Sequence, residues 1–349
     1  MAIMEIEKPV NEKQKRKLTA LFFACVMLIG TLSLVVMNSK YDSLSRYPYT
    51  DQNSRKLIKE YLDEDEIEYI IEYSIAPNMF IAYIQEDGFN IYHSAEYKEL
   101  SAAEWQSSPS QIVKMVEETR DYMSTKTLEE YLLSYTYEEI ELYLREGDTY
   151  SPDSSFTMYA SDPAVYLNDY ITVGTYVPDR LIPLNDTVPA VSAEPVLIQD
   201  TIQEPLTNLC TAAENEVGIL QSCAGLAVSE GYISYDEQTE AFEKAKTEYG
   251  SDAIKYSFYP GHSEHQLGLA VDFKIDGILN ESFNKTIQAK WLKENAWRFG
   301  FVETYTAEDE EKTGKAEKTW HYRYVGTETA SSLHEKNMSF TEWSLSSEK

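Results

Sequence analysis

The stretch HSEHQLGLAVDF, residues 262–273, sets His265 and Asp272 close together in a run that is otherwise small or apolar after Gly268. It holds two of the chain's five histidines. Burying a lone carboxylate costs several kcal/mol or more unless a cation or hydrogen bonds compensate it. A metal ion is one candidate cation. Zinc takes histidine nitrogen and aspartate oxygen, and a catalytic zinc site uses three protein ligands and leaves a fourth position open. His265 and Asp272 supply two such groups from one segment, and His321, beside Trp320 in WHYRYVG, is the natural third. Each histidine alone reads more readily as an ordinary core or surface residue; the trio draws its weight from context.

That context is a pair of motifs, PGHSEHQLGLAVDF and WHYRYVG. The pattern Ser-x-His-x-x-Gly-x-Ala-x-Asp is met by Ser263, His265, Gly268, Ala270 and Asp272. The chain resembles here the zinc D-alanyl-D-alanine carboxypeptidases of the vancomycin-resistance type, whose LAS-type fold is shared with hedgehog signalling domains. The resemblance spans roughly residues 180–345, including WLKENAWRFGF before the second motif and SLHEKNMSFTEW after it. It implies zinc on His265, Asp272 and His321, and a peptidoglycan stem peptide as substrate. It further implies substrate-side roles for Tyr232, Gln238 and Ser263.

Three positions depart from the family pattern. The glutamate that serves as general base stands three residues before the last zinc histidine; Lys318 occupies that place. Ile233, in EGYIS, replaces an arginine that faces substrate, and Thr304 replaces the arginine of an Arg-Tyr-Pro run. A positioned general base typically contributes about 10²–10⁴-fold, and a lysine carries no anion to accept the proton. Glu317 is adjacent, but neighbouring side chains of an extended segment point to opposite faces, so only a bulge would turn it toward a metal. Loss of arginine also removes a bidentate partner for a carboxylate or oxyanion. Two functions stay open on these residues. One is a zinc peptidase with Glu317 recruited as base; the other is a zinc-retaining relative that binds wall peptide or a protein partner without turnover.

The elements that carry these residues are legible in outline. An uncharged run, LTALFFACVMLIGTLSLVVM (18–37), has the length of a membrane-spanning helix. Lys8, Lys13, Lys15, Arg16 and Lys17 precede it while only Lys40 and Arg46 follow closely, which predicts a cytoplasmic tail (1–17), an uncleaved single-pass anchor in the cell membrane and an extracellular remainder. Residues 38–175 read as acidic and mostly helical, with helix starts at Ser110 and at a Thr127/Glu130 capping box. DEDEIEYIIEYSI (63–75) and TYEEIELYLREGD (136–148) look alike. They suit a short helical repeat, a module docking a protein partner or, more simply, spacer helices with acidic solvent faces.

Residues 176–349 alternate helices with short strands and predict an α+β domain with a small antiparallel sheet. Helices are expected to stop at Gly250 and Gly300. A net charge of -29 argues against nucleic acid and anionic membrane surfaces as partners, and 27 tyrosines suggest an aromatic-rich surface. Cys210 and Cys223, if both on one helix, would lie roughly 20 Å apart, so two buried thiols are expected.

Overall fold

The computed structural model describes residues 12–39, 42–102 and 107–346. Lys8 and Lys40, which enter the charge asymmetry, lie outside the described residues. Glu12–Ser39 forms one continuous helix, long and apolar enough to cross a membrane. The chain divides into two compact units, Met1–Glu117 and Glu118–Lys349.

The first unit is helical. Gln52–Tyr61 is capped by Asp51, whose carboxylate accepts the Ser54 amide at 2.7 Å. Glu64–Glu72 is closed by a capping box between Asp63 and Glu66. These helices bury Ile58, Ile67 and Ile70 against Leu44, Phe80, Ile84 and Ile91. The likeness between 63–75 and 136–148 has a local cause: Thr136 and Glu139 form the same capping box before Tyr137–Glu146. The two helices belong to different units, and each buries one side, Ile67 and Ile70 in the first and Tyr137 and Ile140 in the second, while acidic residues such as Glu64, Asp65 and Glu138 stay exposed. The other helix starts shift upstream from the sequence expectation. Ser108, not Ser110, exchanges bonds with Gln111 ahead of Pro109, since proline suits the first helical position. Ser124, not Thr127, caps Thr125–Leu132.

The second unit includes residues 118–175, which the sequence groups with the N-terminal helices. Tyr122, Tyr159, Tyr170, Tyr249 and Tyr256 are exposed, as expected, but three other tyrosines turn inward. Tyr131, Tyr135 and Tyr143 pack around Phe156 with ring centroids 5.4, 4.3 and 4.4 Å away. Their hydroxyls donate to the carbonyls of Phe156, Thr157 and Ser154, so each apolar ring is buried without stranding its polar end.

Strands β1 (Ser155–Phe156) and β2 (Ile171–Thr172) pair in parallel, and β3 (Leu181–Pro183) and β4 (Leu197–Gln199) antiparallel. The main sheet holds β5 (Leu226–Glu230), β6 (Ala270–Ile275), β7 (Phe301–Glu303) and β8 (His321–Tyr324). Its order is β5-β6-β8-β7 and every pairing is antiparallel. Flanking helices include Gln203–Val217, Tyr235–Tyr249 and Ile287–Asn295. Gly250 and Gly300 end their segments with positive φ, as expected. The α+β expectation holds.

The cysteines correct the sequence reading. Cys210 and Cys223 form a disulfide. They do not share a helix: Gln203–Val217 ends at Gly218 in the left-handed region, and the chain doubles back until the two Cα atoms are 4.2 Å apart. The turn holds Cys223 and Ala224 at positive φ, with the Cys223 amide bonded to the Glu214 carboxylate at 2.8 Å.

Candidate metal centre

In the β6–β8 register Asp272 stands directly opposite His321. Facing residues in an antiparallel pair project to the same side, so these two share one face while Val271, Phe273 and Tyr322 turn to the other. His265 comes from a 3₁₀ turn, Glu264–Leu267, that leads into β6 through Gly268 at φ 66°. A Cβ on Gly268 would lie 3.2 Å from the Gln199 amide nitrogen, so the tight entry requires glycine.

The three side chains converge, each offering a ligand atom within 4.8 Å of the others. His265 Nδ1 donates to the Gly231 carbonyl at 2.7 Å, which turns Nε2 toward Asp272 Oδ1 at 3.2 Å. Gly231 brings that carbonyl in by close approach: a Cβ there would sit 2.3 Å from the Leu197 oxygen. His321 Nε2 lies 2.9 Å from the Glu264 carboxylate, and Nδ1 lies 2.7 Å from Asp272 Oδ1. Trp320 donates to Asp272 Oδ2 at 3.0 Å. Each imidazole thus has its outer nitrogen engaged by an acceptor and its inner nitrogen aimed at the shared carboxylate. Metal-bound histidines are oriented in this way. The donor set and its spacing fit a zinc-sized ion.

The charges are coupled. Burial alone would raise the Asp272 pKa, but His265 and His321 hold it well below the ordinary carboxylate range. Burial disfavours a charged His321, yet Asp272 and Glu264 outweigh it and raise its pKa to about 9 in the metal-free protein. Glu264 is likewise lowered, with burial opposed by His321, Arg323 and Thr304.

The other expected residues fall as follows. Ser263 is fully buried beside His265, and its hydroxyl has no hydrogen-bond partner among the described residues. Tyr232 is half-buried next to Gly231, its amide donating to Leu197 O. Gln238 is buried with its amide group spent on Phe258 O at 2.9 Å and Ser257 Oγ at 3.3 Å, which ties helix Tyr235–Tyr249 to the chain entering the metal loop. Ile233 is half-buried, and its amide points to His265 O at 3.3 Å.

Lys318 is half-buried, with Nζ 4.5 Å from the centre of the Phe258 ring. Burial lowers its pKa, partly offset by Asp272, Glu230 and Glu264. Glu317 is exposed, and its amide bonds to Glu310. Sequence reasoning passed over Glu264 and its link to Thr304, whose hydroxyl donates to Glu264 at 2.8 Å. The available signal for Glu264 was a carboxylate between two histidines in an apolar segment.

A mixed fold with two histidines and an aspartate gathered at the centre of a small antiparallel sheet defines a metallopeptidase-like domain. Residues 196–327 match the family model VanY, D-alanyl-D-alanine carboxypeptidase. A D-alanyl-D-alanine carboxypeptidase of Enterococcus faecalis is 37% identical over 132 residues, which are 35% of this chain and 48% of that protein. The solved LdcB LD-carboxypeptidase, described as revealing the basis of peptidoglycan recognition, is 28% identical with a TM-score of 0.50, over 57% of this chain and 90% of that one. VanYB, solved in complex with D-alanine-D-alanine, is 30% identical over 54% of this chain and 99% of that one, with a TM-score of 0.44. The chain carries a domain of the VanY D-alanyl-D-alanine carboxypeptidase family. It spans about half the length of the curated relatives it matches.

Proposed function

We propose that the C-terminal domain, 176–349, binds one zinc ion on His265, Asp272 and His321 and engages the D-alanyl end of peptidoglycan stem peptides. The observation that carries this is the convergence of three donors, each held from behind by Gly231, Glu264 or Trp320. Zinc in that place supplies Lewis acidity toward an amide carbonyl and water. The chain's own groups do the rest. Gly231 O and Glu264 keep the imidazoles in the tautomer that presents a lone pair inward. The buried Ser263 hydroxyl, with no hydrogen-bond partner among the described residues, offers a hydrogen bond to a bound peptide.

A second reading, binding without hydrolysis, is favoured by Lys318. It stands in the sequence position of the general base, and its ammonium has no free pair to take a proton while charged. Glu317, the neighbour that could have stood in, is exposed. A cation suits the carboxylate terminus of a peptide better than it suits proton abstraction. The test is zinc-dependent calorimetric binding of a D-Ala-D-Ala-ended peptide, with released D-alanine measured in parallel. Binding with release supports the peptidase, binding without release supports the receptor, and neither sinks both.

We further propose that Glu12–Ser39 anchors the chain with its N-terminus inside and the domain outside, on the strength of the apolar span and the basic residues before it. A reporter fused after Lys349 should be active only outside the cell. An ectodomain released freely into the medium would overturn this.

A further inference from the structure

The metal loop is held from a part of the chain outside the family-matched residues. His262, three positions before His265, is buried with its side chain fully covered. Its Nδ1 lies 2.7 Å from Asn168 O and its Nε2 2.9 Å from Asp148 Oδ2. Asn168 O can only accept, so Nδ1 donates to it, and Nε2 pairs with the Asp148 carboxylate. Asp148 is itself fixed, because its other oxygen accepts the amides of Tyr150 and Ser151 at 2.7 and 2.9 Å. The grip continues along the loop. Gly261 O accepts from the Val173 amide at 2.8 Å and Thr172 Oγ1 at 3.0 Å. Gln266 donates to Gly174 O at 2.8 Å and Tyr176 O at 3.1 Å while accepting from the Gly261 amide. His265 therefore sits in a turn whose two ends are both bonded to residues 148–176, well before the match begins at residue 196.

We propose that Asp148 is a positioning residue for the metal site, acting through His262 to hold the turn that presents His265; this rests on the zinc reading above. A loop free to sample other conformers binds metal more weakly, since its ordering must then be supplied on binding. Outer partners of metal ligands typically change affinity about 10–100-fold when removed. One step further out, Asp148→Ala should weaken zinc about 10-fold.

The experiment uses the full chain in detergent. It pairs zinc affinity, from competition with a chromophoric chelator, with hydrogen exchange of the amides of 261–268. Asp148→Ala should lose affinity and exchange faster in that loop while β5–β8 stay protected. Asp148→Asn, which keeps the volume and one acceptor oxygen, should recover most of both. His262→Gln serves as the second variant if Asp148→Ala fails to fold. A variant that melts lower yet binds zinc and protects the loop like wild type would overturn the proposal, leaving Asp148 a plain fold-stabilising residue. If wild type holds no zinc, the proposed function falls, and loop exchange alone decides whether Asp148 orders the turn: unchanged exchange overturns that too.

Discussion

The two sides of the candidate site are built differently. On the β6–β8 face His265, Asp272 and His321 each have a second partner that fixes their direction: a carbonyl, an indole N–H and a carboxylate. At the positions where the sequence resemblance expects a general base and two arginines stand Lys318, Ile233 and Thr304. Thr304 is turned inward to Glu264, and Lys318 lies over Phe258. The three metal-directed side chains are each fixed by a second partner, whereas the positions expected from the sequence to carry one anion and two cations hold Lys318, Ile233 and Thr304. A site can hold its metal strongly and still lack the groups that differ between binding and turnover, because only interactions stronger in the transition state accelerate a reaction.

The largest expected effect tests the complete half. His265→Ala or His321→Ala should abolish zinc retention after gel filtration, read by elemental analysis, where wild type holds close to one equivalent. Unchanged zinc content in both would mean the ion sits elsewhere. Next comes the incomplete half. Lys318→Glu combined with Ile233→Arg should raise release of D-alanine from a D-Ala-D-Ala-ended peptide by about 10²–10⁴-fold over a near-background wild type. A robust wild-type rate that the double substitution lowers would reverse the comparison.

Between these lies Glu264. Replacing it by Gln leaves His321 a weaker acceptor and should cut zinc affinity about 10–100-fold, measured by chelator competition. The same assay across pH carries a sign. With the His321 pKa raised to about 9, a proton competes with the metal below that value, so apparent affinity should climb with pH and level off above it. In the metal-free protein the stabilisation from charged His321 is fully present below its ordinary value near 6.5. It is lost as pH rises through about 9, and urea midpoints should fall over that window. The smallest effect belongs to Glu317→Gln, which should leave zinc and any turnover unchanged. A complete loss of activity would make Glu317 the base after all.

Much of the scaffold could be read from local chemistry. The apolar span, the glycine stops at Gly250 and Gly300 and the alternation of helix and strand follow from period, length and backbone sterics, which are properties of neighbouring residues. The spacing of His265 and Asp272 likewise places both on the entry to one strand. What tertiary structure decided depends on residues far apart in sequence. The Cys210–Cys223 bond exists because a left-handed Gly218 ends the helix and returns the chain, which no helical spacing rule anticipates. Tyr131 and Tyr135 turn inward, where carbonyls more than twenty positions away accept their hydroxyls, while other tyrosines stay on the surface. Residues 118–175 joined the second unit through hydrogen bonds such as Thr172–Gly261, 89 positions apart, and Asp148 met His262 across 114. Composition sets which groups need partners. Only the folded chain, by bringing remote segments to hydrogen-bonding distance, settles which partners they find.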